Sequence, residues 1–360
     1  MTNHFELQSH PLAAIWETNQ RSGPISGEPS PPRPPDLDLN DFEAEQMIRE
    51  VAKLNPPIFV FAGHDPLRRQ GILSLVQYAT ACHLKPTMLL GPASQLARVN
   101  VGELRRAGLS RIGFVLNGST AELHEQITGV ESSFANTLNG IQYAREGHLP
   151  VQVHTTVSRR NLHDLEAIAA LLKGLRVMAW HVSFLVPSGP FEMDDVPTAD
   201  QFELAFARLY VLAQEVNFKI KTVDAPHYRR FVLQERSRHR HDNLVTIDRE
   251  PQGIPGILPV NESRATLFIS STGEIYPSST LRLSAGNVRT DDVAEVYRSG
   301  ALFSSLRETR NLKGKCSLCE FKDVCGGSRA RSWAVAGDLF AQDDHCIYQP
   351  HVAIRAGCIV

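Results

Sequence analysis

Near the C-terminus, KCSLCEFKDVCGGSRARSWAVAGDLFAQDDHC spaces four cysteines as C-x2-C-x5-C-x20-C: Cys316, Cys319, Cys325 and Cys346. Thiolates are soft metal ligands, and C-x2-C lets two of them leave one tight turn toward a common centre. Cys325 supplies a third vertex, and Cys346 returns from a distance as the fourth. Four unrelated reduced thiols are the plain alternative, which this spacing disfavours. Tetrahedral zinc and a [4Fe–4S] cluster both accept four cysteines, so spacing alone leaves the two open. Gly326 and Gly327, directly after the third cysteine, permit close backbone approach and unusual dihedrals. Backbone amides near sulfur are one device that tunes such a site. The other two of the six cysteines, Cys82 on a predicted helix and Cys358 in the tail, read as ordinary thiols.

Further candidates are scattered. Glu17, His64, Asp65, His154 and His181 fall near predicted strand ends, where they could hold a metal or act as acid and base. The plain reading of each histidine is a hydrogen-bonded packing or surface residue. His239 and His241 lie in a polar, basic stretch that reads as an exposed connection, with a metal pair as the alternative.

These residues need a scaffold, and the apolar runs supply one. Strand-like segments at 12–17, 57–63, 86–91, 111–118, 151–157, 177–187 and 218–223 alternate with helix-period segments at 40–54, 67–81, 121–147, 161–172 and 198–216. Asn40 with Glu43, and Thr198 with Gln201, are spaced as capping boxes. Asn161 opens the fourth of these helices. Such alternation predicts a parallel sheet with helical crossovers. No GxGxxG follows the first strand, which disfavours a Rossmann site. The expected fold is α/β: a partial (β/α)6 TIM-like barrel with chemistry at the C-terminal strand ends, then a small C-terminal module. In that module TLFISSTGEIYPSS reads as a hairpin turning at Thr272-Gly273, and 291–308 as a helix.

Of 360 residues, 42% are hydrophobic and 21% charged, with a formal net charge of −2. This is an ordinary globular composition, without the basic footprint of a nucleic-acid binder. No apolar run reaches membrane-spanning length. The N-terminus lacks the charge and apolar pattern of a secretory signal. The sequence therefore predicts a cytoplasmic protein with reduced thiols.

CSLCEFKDVCGGSRARSWAVAGDLFAQDDHC, followed by IYQP, closely resembles the C-terminal module of radical SAM enzymes with a SPASM or twitch extension. The similarity is greatest to the branch of haem-biosynthesis and tungsten-cofactor-associated members. AIWET, FAGHDPL, VLNGSTAELHEQITGV, VQVHTTVSRRNLHDL, SFLVPSG, APHYRR, GEIYPSS and AGNVRTDD extend the resemblance, in order, over most of the chain. It implies that the four C-terminal cysteines hold an auxiliary [4Fe–4S] cluster, zinc being the alternative. It also implies S-adenosylmethionine at the barrel mouth, near Gly63, His64, Asp65, Pro66 and Asn117. The corresponding division is 1–39 (first strand and Pro-rich loop, strand 12–18 belonging to the barrel), 40–235 (barrel), 236–262 (linker) and 263–360 (iron–sulfur module).

The departures carry the functional expectation. In the family a C-x3-C-x2-C follows the WET motif; here those positions are Ser22, Ser26 and Pro29, in NQRSGPISGEPSPPRPP, and no cysteine precedes Cys82. His64 stands where the family has a second glycine, Asn117 where it has Asp, Thr128 and Pro190 where Arg is usual. The cluster that cleaves S-adenosylmethionine needs three thiolates; a serine hydroxyl is a poor substitute and proline offers no ligand. The resemblance thus implies a degenerate member without SAM cleavage, serving in binding, scaffolding or electron transfer. An intact radical SAM homologue or a redox protein would be its partner. An enzyme with non-radical chemistry at the barrel mouth and a zinc-stabilised structural protein are the alternatives.

Overall fold

In the computed structural model the described residues are 9–19, 37–92, 94, 96, 101–187, 193–241 and 262–350. Ser22, Ser26, Pro29, Pro190 and Cys358, and the side chains of His239 and His241, lie outside them.

The seven expected strands form: β1 (Ala13–Glu17), β2 (Phe59–Ala62), β3 (Pro86–Leu90), β4 (Arg111–Val115), β5 (Val151–Val157), β6 (Ala179–Phe184) and β7 (Lys219–Val223). They pair in parallel and in sequence order. On the other side of β1 lies β8 (Thr266–Ile269), also parallel, continued by the antiparallel β9 (Glu274–Tyr276) and β10 (Gly286–Asn287). The hairpin between β8 and β9 turns at Gly273, whose left-handed φ of 88° suits the bend. A single ten-stranded sheet therefore runs from the barrel into the cysteine-bearing segment. The main core crosses the same boundary, joining Trp16 and Phe59 to Ile269, Tyr297 and Phe303.

Strand alternation separates two faces. Trp16, Phe59, Phe61, Met88, Ile112, Val153 and Trp180 are fully buried, on the face covered by helices. Phe114 on that face packs so closely on the helix Ser133–Glu146 that a Cβ on Gly140 would lie 2.7 Å from its ring. The alternate positions form the concave face. Among them Ile15, Val60, Leu89, Val115, His154, Thr156, His181 and Ser183 are only half-buried, so their own side chains do not fill the concavity.

Two predicted helices are split by glycine. The segment 121–147 becomes Ala121–Thr128 and Ser133–Glu146, because Gly129 ends the first in a left-handed cap. The segment 291–308 becomes Val293–Ser299 and Ala301–Arg307. Gly300 lies between them, where a Cβ would sit 2.3 Å from the Val296 carbonyl oxygen. Both capping boxes form as spaced. Asn161 instead precedes a 3₁₀ turn, Leu162–Asp164, and the helix proper is Leu165–Leu175.

Candidate functional site

Cys316 lies within the short helix Gly314–Leu318, and Cys319 ends it. A turn closed by Lys322 N–H to Cys319 O (3.1 Å) and Cys325 N–H to Phe321 O (2.9 Å) presents Cys325. Cys346 arrives from the far segment, where Lys315 Nζ donates to its carbonyl oxygen. All four cysteines line one cavity with about 380 Å³ of space free of protein atoms, its mouth included. Cys316 and Cys325 are buried, Cys319 and Cys346 half-buried, and all four are free thiols. Gly326 and Gly327 both adopt left-handed backbone, φ 66° and 68°. This turns the Gly327 N–H onto Cys325 Sγ at 3.4 Å. A Cβ on Gly327 would meet Arg329 Nη2 at 2.5 Å and Cys316 Sγ at 3.4 Å.

Burial pushes the Cys325 thiol up to about 12, partly opposed by the Gly327 N–H. Burial likewise raises Cys319 and Cys346. Yet the surroundings are cationic. Arg230, Arg264 and Arg329 are all buried. Burial, then repulsion from Arg329, pulls Arg264 down to about 10. Its Nε and Nη2, the Nη2 of Arg329 and the Nε of Arg230 are buried without a hydrogen-bond partner among the described residues. The anionic forms of Cys316, Cys325 and Cys346 act on these guanidiniums. Arg230 is paired with Glu203, but Arg264 and Arg329, buried with unmet N–H groups, leave a local deficit of negative charge beside the thiols. Thiolates carrying a metal group would fill it, so the residues present fit such a group.

A second buried layer backs the cavity. Asp343 accepts from Ser328 N–H (2.9 Å) and His345 N–H (3.2 Å) and pairs with Arg331 at 3.3 Å. Burial opposes its charge, but Arg331, His227 and the Ser328 N–H hold its carboxyl well below the usual range. Arg331 also donates to the carbonyl oxygen of Asp224, just after β7, at 3.0 Å, and lies over the Phe202 ring at 4.6 Å. The cysteine-bearing segment is thereby locked to the barrel. Sequence reading missed these arginines. GGSRAR is visible, but nothing in it says that Arg329 and Arg331 are almost completely buried.

Gly63, His64, Asp65 and Pro66 follow β2, and Asn117 follows β4, so all lie at the C-terminal rim. Gly63 (φ 126°) presses against Asn19, whose Oδ1 would be 2.7 Å from a Cβ there. Asn19 Nδ2 donates to Asp65 O at 2.7 Å, and Asp65 Oδ1 caps Leu67 N–H at 3.1 Å. Asn117 Oδ1 accepts from Thr156 N–H at 2.9 Å, while Asn161 Nδ2 donates to the carbonyl oxygens of Asn117 and Thr156, each at 2.9 Å. These polar atoms are committed to holding the rim together. Arg69, also missed, donates to Thr18 O (3.2 Å), Leu39 O (2.8 Å) and Asp41 (3.0 Å), so it ties both flanks of segment 20–36. His154 and His181 stand mid-strand, not near strand ends, because β5 and β6 continue to Val157 and Phe184. Glu17 does end β1, where Arg282 pairs with it at 3.2 Å. Cys82 caps the helix Ile72–Ala81 just before β3, at the rim opposite the loop after β1.

A parallel, open α/β barrel joined edge-on to a four-cysteine module defines a class, and comparison with known proteins identifies it. No protein-family model matches the chain. It is 34% identical over 314 residues to the AdoMet-dependent heme synthase of Methanosarcina barkeri, covering 87% of this chain and 88% of that protein. It is 26% identical over 356 residues to a PqqA peptide cyclase of Rhodopseudomonas palustris, covering 94% and 88%. SuiB of Streptococcus suis, solved bound to S-adenosylmethionine, superposes with a TM-score of 0.70 at 13% identity, covering 94% of this chain and 78% of SuiB. The chain belongs to the radical SAM/SPASM family of the AdoMet-dependent heme synthases.

Proposed function

We propose that this protein holds one auxiliary-type [4Fe–4S] cluster on Cys316, Cys319, Cys325 and Cys346. We further propose that it does not cleave S-adenosylmethionine, and acts as a binding, scaffold or electron-transfer member of its family. One observation carries the second part. No cysteine precedes Cys82, and Cys82 lies at the wrong rim of the barrel. The loop after β1 therefore has no thiolate to offer, and the ligand chemistry of the radical-generating cluster is lost.

The unmet guanidinium N–H groups around the cysteine cavity support the first part. Among the described residues, no three His, Cys, Asp or Glu side chains converge as ligands of a single metal ion. Four thiols accept either zinc or a cluster; the likeness to the AdoMet-dependent heme synthases favours the cluster. When bound, such a cluster supplies one-electron chemistry. The chain's own part is to exclude water with Phe321 and to offset negative charge with Arg230, Arg264 and Arg329. At the barrel rim Asp65 Oδ1 and Asn117 Oδ1 are taken by the N–H groups of Leu67 and Thr156, which favours weak S-adenosylmethionine binding. A second reading, an enzyme with non-radical chemistry in the barrel, would draw on His64, Asp65, His154, His181 and Glu17; that the relatives are named as enzymes favours catalysis in general.

Iron and acid-labile sulfide, measured after anaerobic purification, test the assignment. About four of each per chain is expected. About eight irons would overturn the loss of the second cluster, and zinc without sulfide would overturn the cluster itself.

A further inference from the structure

The concave face of β4 to β7 carries a basic row that the cysteine module does not use. His154 on β5 is in register with His181 on β6, and His181 with Lys221 on β7. The two imidazoles stack, centroids 4.5 Å apart and planes 13° from parallel. Gly113 on β4 makes room for this pair: a Cβ there would lie 3.2 Å from His154 Nε2 and 3.1 Å from Leu89 Cδ1. A glycine inside a strand marks such a close approach. Arg111, two residues before Gly113, shares the concave face and acts electrostatically on both His181 and Lys221.

Among the described residues, no counter-charge acts on the row. Burial foremost lowers His154 to about 4, with Lys221 adding to it. Burial, His154, Lys221 and Arg111 lower His181. Arg111 and Lys219 act electrostatically on Lys221. No carboxylate figures among the charges that act on these three residues. Glu17, on the concave face of β1, is held by Arg282. His181 Nε2 is buried with no hydrogen-bond partner among the described residues. One strand step nearer the C-terminal rim, the half-buried Thr156 and Ser183 lie side by side in register.

Two neutral imidazoles supply N–H donors, two cations supply charge, and adjacent hydroxyls supply further donors. Together they match an oxyanion. We propose that this face binds the oxyanion group of a small molecule, a carboxylate or a phosphate, against His154 and His181 and opposite Lys221 and Arg111. The site lies on barrel strands, so it stands or falls independently of the cysteine cluster.

Calorimetric titration with citrate and with inorganic phosphate, in low-chloride buffer at neutral pH, tests it. Lys221 is exposed on the edge strand, so Lys221→Met leaves the fold intact. His181→Phe keeps a stacking ring and removes the donors. Millimolar or tighter binding of at least one probe is expected, weakened about tenfold or more by Lys221→Met, equivalent to about 1.4 kcal/mol. The preferred probe tells carboxylate from phosphate. Failure of both probes to bind, or equal affinity in Lys221→Met, would overturn the proposal, whatever the iron content.

Discussion

Replacing Asp343 with Asn removes one charge from the most buried ion pair described. Both partners are almost fully excluded from solvent, 1% and 0% exposed. Ser328 N–H donates to Oδ2 and His345 N–H to Oδ1, so the amide, with its single oxygen, keeps one of these acceptors and the variant loses the charge and one backbone hydrogen bond. Arg331 would remain between the Asp224 carbonyl and the Phe202 ring without a counter-ion. Breaking a buried pair by removing one partner costs about 3–5 kcal/mol. Urea unfolding of the purified protein measures it. Trp333, on the helix Arg329–Ala336, reports the cysteine module, while Trp16 and Trp180, fully buried, report the barrel. The pH dependence adds a check of sign. The carboxyl is held low in the folded state, so its contribution is fully present above the unfolded value of about 3.9 and is lost as pH falls below it. Wild type should lose this contribution on acidification, and Asp343→Asn should lack it at every pH. A variant within about 0.5 kcal/mol of wild type at neutral pH, within the range of ordinary surface changes, would refute the claim that this pair locks module to barrel.

Other perturbations separate the remaining claims. Cys325→Ala should abolish iron retention and destabilise the module; unchanged iron content would mean that Cys325 is not a ligand. Gly327→Ala forces a side chain into left-handed backbone at a cost of about 1–2 kcal/mol and crowds Arg329, so iron content and module stability should both fall. Arg69→Ala removes three hydrogen bonds and the packing on Trp16; a loss of about 1–3 kcal/mol in urea unfolding is expected, and no loss would show that the flanks of segment 20–36 are held by something else.

The sheet was legible because most of its strands are short apolar runs, such as IFVFA and RIGFV, that no amphipathic helix would carry. Helix starts were legible where Asn40 and Thr198 offered capping boxes. Helix interruptions were not, because Gly129 and Gly300 act through carbonyl and cap geometry that periodicity does not register. The cysteines announced themselves by spacing. Their electrostatic setting did not, since a buried Arg329 and an exposed Arg310 are the same letter. The mid-strand stacking of His154 on His181 depends on the register between β5 and β6, which sequence does not give.

The proposed function requires that the auxiliary site persist while radical generation is gone. The direct measurement is formation of 5′-deoxyadenosine from S-adenosylmethionine by the anaerobically purified, iron-loaded protein with dithionite. None above a protein-free control is expected. Any reductive cleavage that depends on this protein would contradict the proposed function.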